Sequence, residues 1–331
     1  MEHSSEQDCL SSDLIKLELN KGGAVEIYQL EILRELGTLG SVTAVADSLR
    51  VTPSAVSQQL SALQRGFRAP LTRRDGRTLV LTEAGYALAR AGTGVIEAMA
   101  AAAGAVEAFE QEPSGVVTVS GFHSASQAIF GGLLSELRDI AAAPDLRLSD
   151  EDVAQEEFPL LTASYDLVIA HRLEHSPPWP ETGLKVIRLA QEPLDIALPE
   201  GHPLADREQL TPADVAGEAW VTSRAGYSPD DLLGAIAAVA DQSVKVVHRI
   251  NDYGSVAAIV ATGDAIGMVP RYTVGSALAG LVLRPLAGVN ATRAIDMLTR
   301  PETLHRRSVQ VTVTALRTAM NRLVQAGEAR R

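Results

Sequence analysis

The chain has 331 residues, with 29 Lys and Arg against 41 Asp and Glu, a net charge of −12, and one cysteine. That length holds two or three domains, each with ample core. A lone cysteine, Cys9, excludes an internal disulfide and a paired-cysteine metal site, and no apolar run approaches the ~18 residues of a membrane span, so no membrane partner is expected. Met1–Lys21 is polar and acidic rather than leader-like, which predicts a cytoplasmic protein. Residues 1–24 hold five acids against two lysines with little periodicity, and read as a mobile polar extension.

Residues 41–63 predict two short helices joined by a tight turn. Ser41 is a good N-cap, followed by Val42, Val45 and Leu49 on one face and small Ala46 where a second helix can approach. Arg50 and Val51 turn the chain. Thr52 then caps a second helix whose first residue is Pro53, where a fixed φ and a missing N–H cost nothing. Val56, Leu60, Leu63 and Phe67 recur at spacings of 4, 3 and 4, one buried stripe. The opposite face carries Ser54, Ser57, Gln58 and Ser61, short donors and acceptors without formal charge. Such groups can read base edges in a major groove without repelling phosphate. An ordinary capped helix pair with a solvated face has the same pattern.

Between Arg50 and Arg77 stand six arginines (50, 65, 68, 73, 74, 77) and one acid, Asp75, a local charge of +5 in an acidic chain. A basic island of this kind is the electrostatic footprint of a nucleic-acid contact, although it also fits a solubilising surface. Asp75-Gly76-Arg77 is a turn signal between Arg73-Arg74 and the β-prone Thr78-Leu79-Val80-Leu81, a two-stranded wing. The candidate DNA-contacting residues are Ser41, Thr43, Thr52, Pro53, Ser54, Ser57, Gln58, Ser61, Arg65, Arg73, Arg74 and Arg77.

Four segments in this order resemble the winged helix-turn-helix of the LysR-type transcriptional regulators. They are T-P-S-A-V-S-Q-Q-L (Thr52–Leu60), A-P-L (Ala69–Leu71), the arginine-rich D-G-R wing and L-T-E-A-G (Leu81–Gly85). Gly66 interrupts the family's usual helix end, and Thr72 stands where the family carries an aromatic. The resemblance implies a DNA-binding domain over 25–82 that binds double-stranded promoter DNA. With a single cysteine, the chain lacks the two-cysteine peroxide switch of some such regulators.

Leu81-Thr82-Glu83 opens an alanine-rich helix over 83–110. Leu88, Gly92, Val95, Met99, Ala102, Val106 and Phe109 follow spacings of 4, 3, 4, 3, 4 and 3, a heptad seam that pairs helices or, equally, faces a globular core. Gly92 on that seam permits close approach, and Gly94 and Gly104 weaken the helix by roughly 1 kcal/mol each. In the resembling family this helix pairs two subunits. The resemblance therefore implies a homodimer through this linker helix, a homotetramer beyond it, and RNA polymerase as a possible further partner. Two-fold symmetry predicts a roughly palindromic operator.

Glu110-Gln111-Glu112-Pro113-Ser114-Gly115 is a polar linker into a second domain, 115–327. Predicted strands at Val116–Ser120, Leu146–Asp150, Asp166–Ala170 and Leu194–Leu198 alternate with helices such as Gly131–Ala141, which predicts a parallel-sheet α/β domain. His305–Gln325 reads as a closing helix. Pro193–Ala205, Asp252–Pro270 and Asp166–Ala170 resemble the family's effector-binding domain, itself similar to periplasmic binding proteins. That resemblance implies subdomain I over about 115–192 and 271–327, and subdomain II over about 193–270. The predicted fold class is thus α/β, an N-terminal winged helix-turn-helix, a long linker helix and a two-subdomain, periplasmic-binding-protein-like effector domain.

Ligands in open α/β sheets sit at carboxyl ends of strands beside helix N-termini. The first strand ends in a run containing Ser120, Phe122, His123 and Ser124. Thr222, Ser223 and Arg224 with Asn251, Asp252 and Tyr253 form the expected opposing lip, and His171 and Arg172 end another strand. These groups favour a small polar effector, most simply a carboxylate, although Ser and Thr at strand ends also cap helices and Arg224 can pair with an acid. His171 and His175 follow a strand, so their four-residue spacing does not share a helical face and no metal is expected. No phosphate loop, nucleophile elbow or paired-carboxylate motif stands out, so neither enzyme activity nor a cofactor is expected. The competing reading is a solute-binding protein or α/β enzyme with a fortuitous N-terminal helix pair.

Overall fold

The computed structural model describes residues 16–19, 23–110, 113–180, 183–274 and 279–329. Cys9 and most of the extension predicted over 1–24 lie outside them. The chain divides into two compact units, 1–100 and 101–331.

The first unit opens with β1 (Lys16–Leu19) and β2 (Gly23–Glu26), an antiparallel pair with Lys16 opposite Glu26. Strand structure therefore begins inside the segment expected to be a mobile extension; K-L-E-L alternates apolar and charged residues over too few positions to stand out in sequence. Helix α1 (Ile27–Leu39) ends at Gly40, whose φ of 71° reverses the chain. In α2 (Val42–Leu49) the Ser41 hydroxyl oxygen accepts the Ala44 N–H at 3.0 Å, and in α3 (Pro53–Arg65) Thr52 accepts the Ala55 N–H at 3.2 Å. Arg50, at φ 54°, makes the left-handed step between them. Val45, Val56, Leu60 and Leu63 close on Leu30, Leu33 and Leu36 in one core, with Phe67 at its edge. Gln64 shapes the loop between α3 and the wing. Its amide donates to the Phe67 and Ala69 carbonyls at 3.1 and 2.9 Å and accepts the Leu71 N–H at 2.7 Å. The wing is β3 (Thr72–Asp75) paired with β4 (Thr78–Leu81), joined by the two-residue turn Gly76-Arg77.

Helix α4 (Glu83–Glu110) leads out of the first unit into the second. Its seam does two things. Leu88 and Val95 pack on the core of the first unit, and Gly92 lies so near it that a Cβ there would meet Leu30 Cβ at 3.2 Å. Ala102 and Val106 are exposed, Val106 at 64%. Gly92 thus gives close approach to this chain's own α1, which periodicity alone does not separate from approach to a partner. The Phe109 side chain lies outside the described residues.

The second unit contains, in order, β5 (Val116–Gly121), α5 (His123–Leu137), β6 (Asp145–Asp150), α6 (Phe158–Leu161), β7 (Leu167–Leu173) and β8 (Lys185–Pro199). There follow α7 (Pro212–Val215), β9 (Ala219–Thr222), α8 (Ser228–Ala240), β10 (Lys245–Arg249), α9 (Tyr253–Val260) and β11 (Ile266–Pro270). β12 (Leu281–Arg284), β13 (Thr292–Thr299) and α10 (Arg307–Glu328) complete it. The strands run β10-β9-β11-β8-β13-β7-β5-β6, with β12 also on β8. β5, β6 and β7 are parallel, as are β9, β10 and β11, but β8 and β13 run antiparallel to their neighbours, so the sheet is mixed. β8 serves both halves: residues 185–193 pair with β13, and residues 194–199 with β11 and β12.

Three expectations shift. The helix placed at 131–141 is α5, starting eight residues earlier; burial of Ala125, Ile129 and Leu133 against the sheet overrides the Gly131-Gly132 pair. The strand placed at 194–198 is the 15-residue β8, whose first half (K-V-I-R-L-A-Q-E) is masked by charges. Residues 279–291, assigned to subdomain I, pack with the second lobe. β12 pairs with Ile196–Pro199, and Leu286 and Ala291 join the core of Trp220, Leu232 and Ile236. The second passage between lobes is therefore β13 rather than the segment after Pro270. α10 closes the first lobe with Val309, Val313, Leu316 and Met320 against α5 and the sheet.

Candidate functional site

In the first unit, the face of α3 opposite the core is a shallow, open groove lined by Ser54, Ser57, Gln58, Ser61 and Arg65. Ser57 and Ser61 donate their hydroxyls to the carbonyls of Pro53 and Ser57 at 2.9 and 2.8 Å, leaving oxygen lone pairs outward. No carboxylate lines this groove, so nothing in it repels phosphate. Ser41 and Thr52 spend an acceptor on helix caps, while Thr43, Thr52 and Pro53 are exposed beside the groove. On the wing Arg73, Arg74 and Arg77 are exposed, and Arg73 pairs with Asp75 at 3.4 Å. Exposed guanidiniums on a two-stranded tip suit phosphate contact. The polar face of α3 and the wing arginines, expected from spacing, are thus assembled on accessible surface of this unit.

The second unit holds a cleft lined by Phe122, His123, Ser124, Asp152, His171, Ser223, Tyr227, Ser228, Pro229, Asn251, Tyr253 and Arg293. Its free volume is about 40 Å³, room for little more than water. Arg293, on β13 and only 1% exposed, organises the inner end. Its Nε donates to Glu192 Oε2 at 2.9 Å, and its Nη2 donates to Thr273 Oγ1 at 2.8 Å and Ser124 Oγ at 3.2 Å. Its guanidinium carbon lies 4.9 Å from the Phe122 ring centroid and 5.9 Å from that of Tyr253. Glu192 Oε1 in turn accepts the Tyr272 and Thr273 N–H groups at 2.7 and 2.6 Å. Burial pushes the Tyr253 phenol up against the pull of Arg293, so it stays neutral.

His171 packs edge-on to Phe122 and Phe158, and burial, helped by Arg293, holds its pKa well below the usual histidine range. It is therefore a neutral ring, and its Nδ1 is buried without a partner among the described residues. Asn251 Nδ2 is in the same condition. Two cleft groups thus have unused hydrogen-bonding capacity, a costly state unless something fills it. At the outer end, His123 Nδ1 lies 2.7 Å from Asp150, and its Nε2 lies 2.9 Å from the Gln127 amide and 3.4 Å from Asp252. The hydrogen bond to Asp150 raises the His123 pKa. Asp252 caps α9 through Ser255, which lowers its own pKa.

Of the effector candidates, Phe122, His123, Ser124, His171, Ser223 and Tyr253 line the cleft. Ser120 is buried in β5 with its hydroxyl unpartnered among the described residues, and Thr222 is buried in β9. Arg172 turns away, donating to the Leu173, Glu174 and Ser176 carbonyls near Asp296. Asp252 is spent on its cap, and Arg224 stands at the rim, 3.8 Å from Asp152. Asn251, expected beside Asp252 and Tyr253 on the opposing lip, lines the cleft too, as do Arg293, Asp152 and Tyr227, which no sequence motif marks. Arg293 had a signal: an arginine inside an apolar strand is costly unless paired. A larger cavity of about 570 Å³ lies by Asp195, Arg271 and Arg284. There Arg271 is bidentate to Asp195 at 2.6 Å, and Arg284 donates to two carbonyls, so most of its polar groups are already paired. Arg284 Nε there is buried without a partner among the described residues, as are His171 Nδ1 and Asn251 Nδ2 in the smaller cleft, but the smaller cleft is the one that gathers residues expected from sequence to meet an effector.

Residues 110–321 match a family described as LysR substrate binding domain, and residues 27–86 one described as bacterial regulatory helix-turn-helix protein, lysR family. The transcriptional activator protein LysR of Escherichia coli is 28% identical over 271 residues, covering 79% of this chain and 83% of that protein. The uncharacterized HTH-type transcriptional regulator YybE of Bacillus subtilis is 24% identical over 246 residues, covering 74% and 82%. Among solved structures, a full-length OxyR variant from Pseudomonas aeruginosa has a TM-score of 0.62 at 15% identity, covering 88% of this chain and 95% of that one. That likeness is one of fold.

Proposed function

The chain belongs to the LysR family of DNA-binding transcriptional regulators, and we propose that it reads promoter DNA through α3 and responds to a small polar, anionic effector in the Arg293 cleft. The observation that carries the first half is the uncharged Ser54, Ser57, Gln58, Ser61 face, exposed on a helix flanked by wing arginines. Base edges are read by such short donors and acceptors, and phosphates by the arginines. The second half is supported by Arg293, by Asn251 Nδ2 and His171 Nδ1, both buried without a partner among the described residues, and by the start of α5, which has no side-chain cap. The protein acts as a homodimer through α4, whose Ala102 and Val106 remain exposed along the seam. Association into a homotetramer, contact with RNA polymerase and a cytoplasmic location belong to the same reading.

The effector acts by differential affinity for two arrangements of the second unit. A cleft with about 40 Å³ of free space widens to admit a ligand, and β8, which pairs with β13 in one lobe and with β11 and β12 in the other, is the strand that links the two. The test is footprinting of the full chain on the intergenic DNA upstream of its own gene. A dimer predicts two protected half-sites whose centres lie about one helical turn, roughly 10 base pairs, or a multiple apart. Uniform protection without half-sites contradicts the reading.

A further inference from the structure

We infer that the effector is a zwitterion of the α-amino-acid class, its carboxylate held at the inner end of the cleft and its ammonium at a seat formed by Asp152 and the Tyr227 ring. This rests on the effector reading above and specifies it.

A carboxylate on the effector answers only part of the charge pattern in the cleft. Arg293 faces in, but Glu192 accepts from it at 2.9 Å and is itself fully buried, so the pair is neutral as a unit. What remains for an anion at the inner end is directional rather than charged. There stand the Ser124 hydroxyl and the start of α5, which has no side-chain cap; toward the rim the Asn251 amide oxygen accepts the Arg224 N–H at 3.0 Å and leaves Nδ2 buried without a partner among the described residues. The outer end carries carboxylates. Asp150 is satisfied by His123, and Asp252 by Ser255 and α9. Asp152 is different: it lines the cleft, and its ion-pair partner is Arg224 at 3.8 Å, a pair in which the two side chains are 49% and 66% exposed. An exposed pair at that distance binds weakly. A plain carboxylate ligand would leave Asp152 facing a like charge, whereas a zwitterion satisfies both ends.

The rim shows where the cation goes. The Arg224 guanidinium carbon lies 5.7 Å from the Tyr227 ring centroid while its Nη2 faces Asp152. A carboxylate beside an aromatic face is a cation seat, and the protein's own long-chain cation stands in it. Arg224 is exposed enough to swing out, so a ligand ammonium can take its place. Arg224 is then a competitor for the seat rather than a binder of the ligand, which reverses the role expected for it from sequence.

The experiment is isothermal titration of the full chain with individual proteinogenic α-amino acids and with the 2-hydroxy acid matching each one. The hydroxy acid keeps the carboxylate and side chain and loses only the cation. The expected result is an amino acid that binds and a hydroxy acid about tenfold or more weaker. Asp152→Asn should weaken the amino acid by a similar factor while leaving the hydroxy acid unchanged. Arg224→Ala, which empties the seat, should strengthen the amino acid. Equal binding of the two ligands, or binding of hydroxy acids alone, overturns the zwitterion and leaves the anionic-effector reading standing. No heat from either class overturns both. Circular dichroism of each variant identifies misfolding, and Arg224→Ala, at an exposed position, tests the seat independently of Asp152.

Discussion

At the scale of single residues, two groups in the effector unit join parts of the chain far apart in sequence. Arg293 and Glu192 are 101 residues apart and both almost fully buried, and they tie β13 to β8 and to the turn after β11. Removing one partner of such a pair strands a buried charge and costs about 3–5 kcal/mol, so the pair fixes geometry more than it adds net stability. His123, at the start of α5 in one lobe, faces Asp150 on β6 and Asp252 at the start of α9 in the other, with the Gln127 amide beside it. Its folded pKa is raised, chiefly by Asp150. The proton is therefore held more tightly in the folded state. The stabilisation is complete below the ordinary value of 6.5 and is lost as pH rises through the higher folded value. Comparing melting temperatures of the wild type and His123→Gln across that range should show a difference at acid pH that shrinks as the solution becomes basic. A difference independent of pH would show that His123 acts by packing alone.

The DNA-binding elements were legible in sequence because their signals are local. Ser41 and Thr52 cap within three residues, Pro53 sits at a first helical turn, and Asp75-Gly76-Arg77 makes a hairpin by itself. Gln64 was not legible: its role is to hold the Phe67, Ala69 and Leu71 backbone, a matter of where the loop runs. The same limit hid the cleft's main cation. T-R-A-I-D-M-L-T shows a charged residue in a strand, but not that Glu192 waits on the neighbouring strand. The wing makes a prediction at this scale. Each of Arg73, Arg74 and Arg77 that contacts phosphate adds about 0.9 to the slope of log K against log salt. The triple alanine variant should lose roughly 2 to 3 from that slope and weaken on all DNA sequences alike. An unchanged slope would move the phosphate contacts elsewhere.

For the whole molecule, the two compact units are the one that carries the polar face of α3, proposed to read DNA, and the one that carries the Arg293 cleft, proposed to bind an effector. α4 belongs to both, packing Ala89 and Ile96 into the first core and continuing into the second unit. The α/β character of the second unit was legible from alternating strands and helices, whereas its two lobes were implied only by the family resemblance. The passage between lobes was not legible, because β8 crosses by pairing with β13 through residues 185–193 and with β11 and β12 through residues 194–199, partners distant in sequence. The central claim, that the uncharged face of α3 reads sequence, is tested most directly by a competition titration. The double variant Ser57→Ala, Gln58→Ala and the wild type would be measured on the footprinted operator and on unrelated DNA, at one stated salt concentration. Losing a base-edge contact costs about 1–3 kcal/mol of discrimination. The account predicts that the variant's preference for the operator falls about tenfold or more while its affinity for unrelated DNA holds. An equal loss on both DNAs, or none on either, would contradict it.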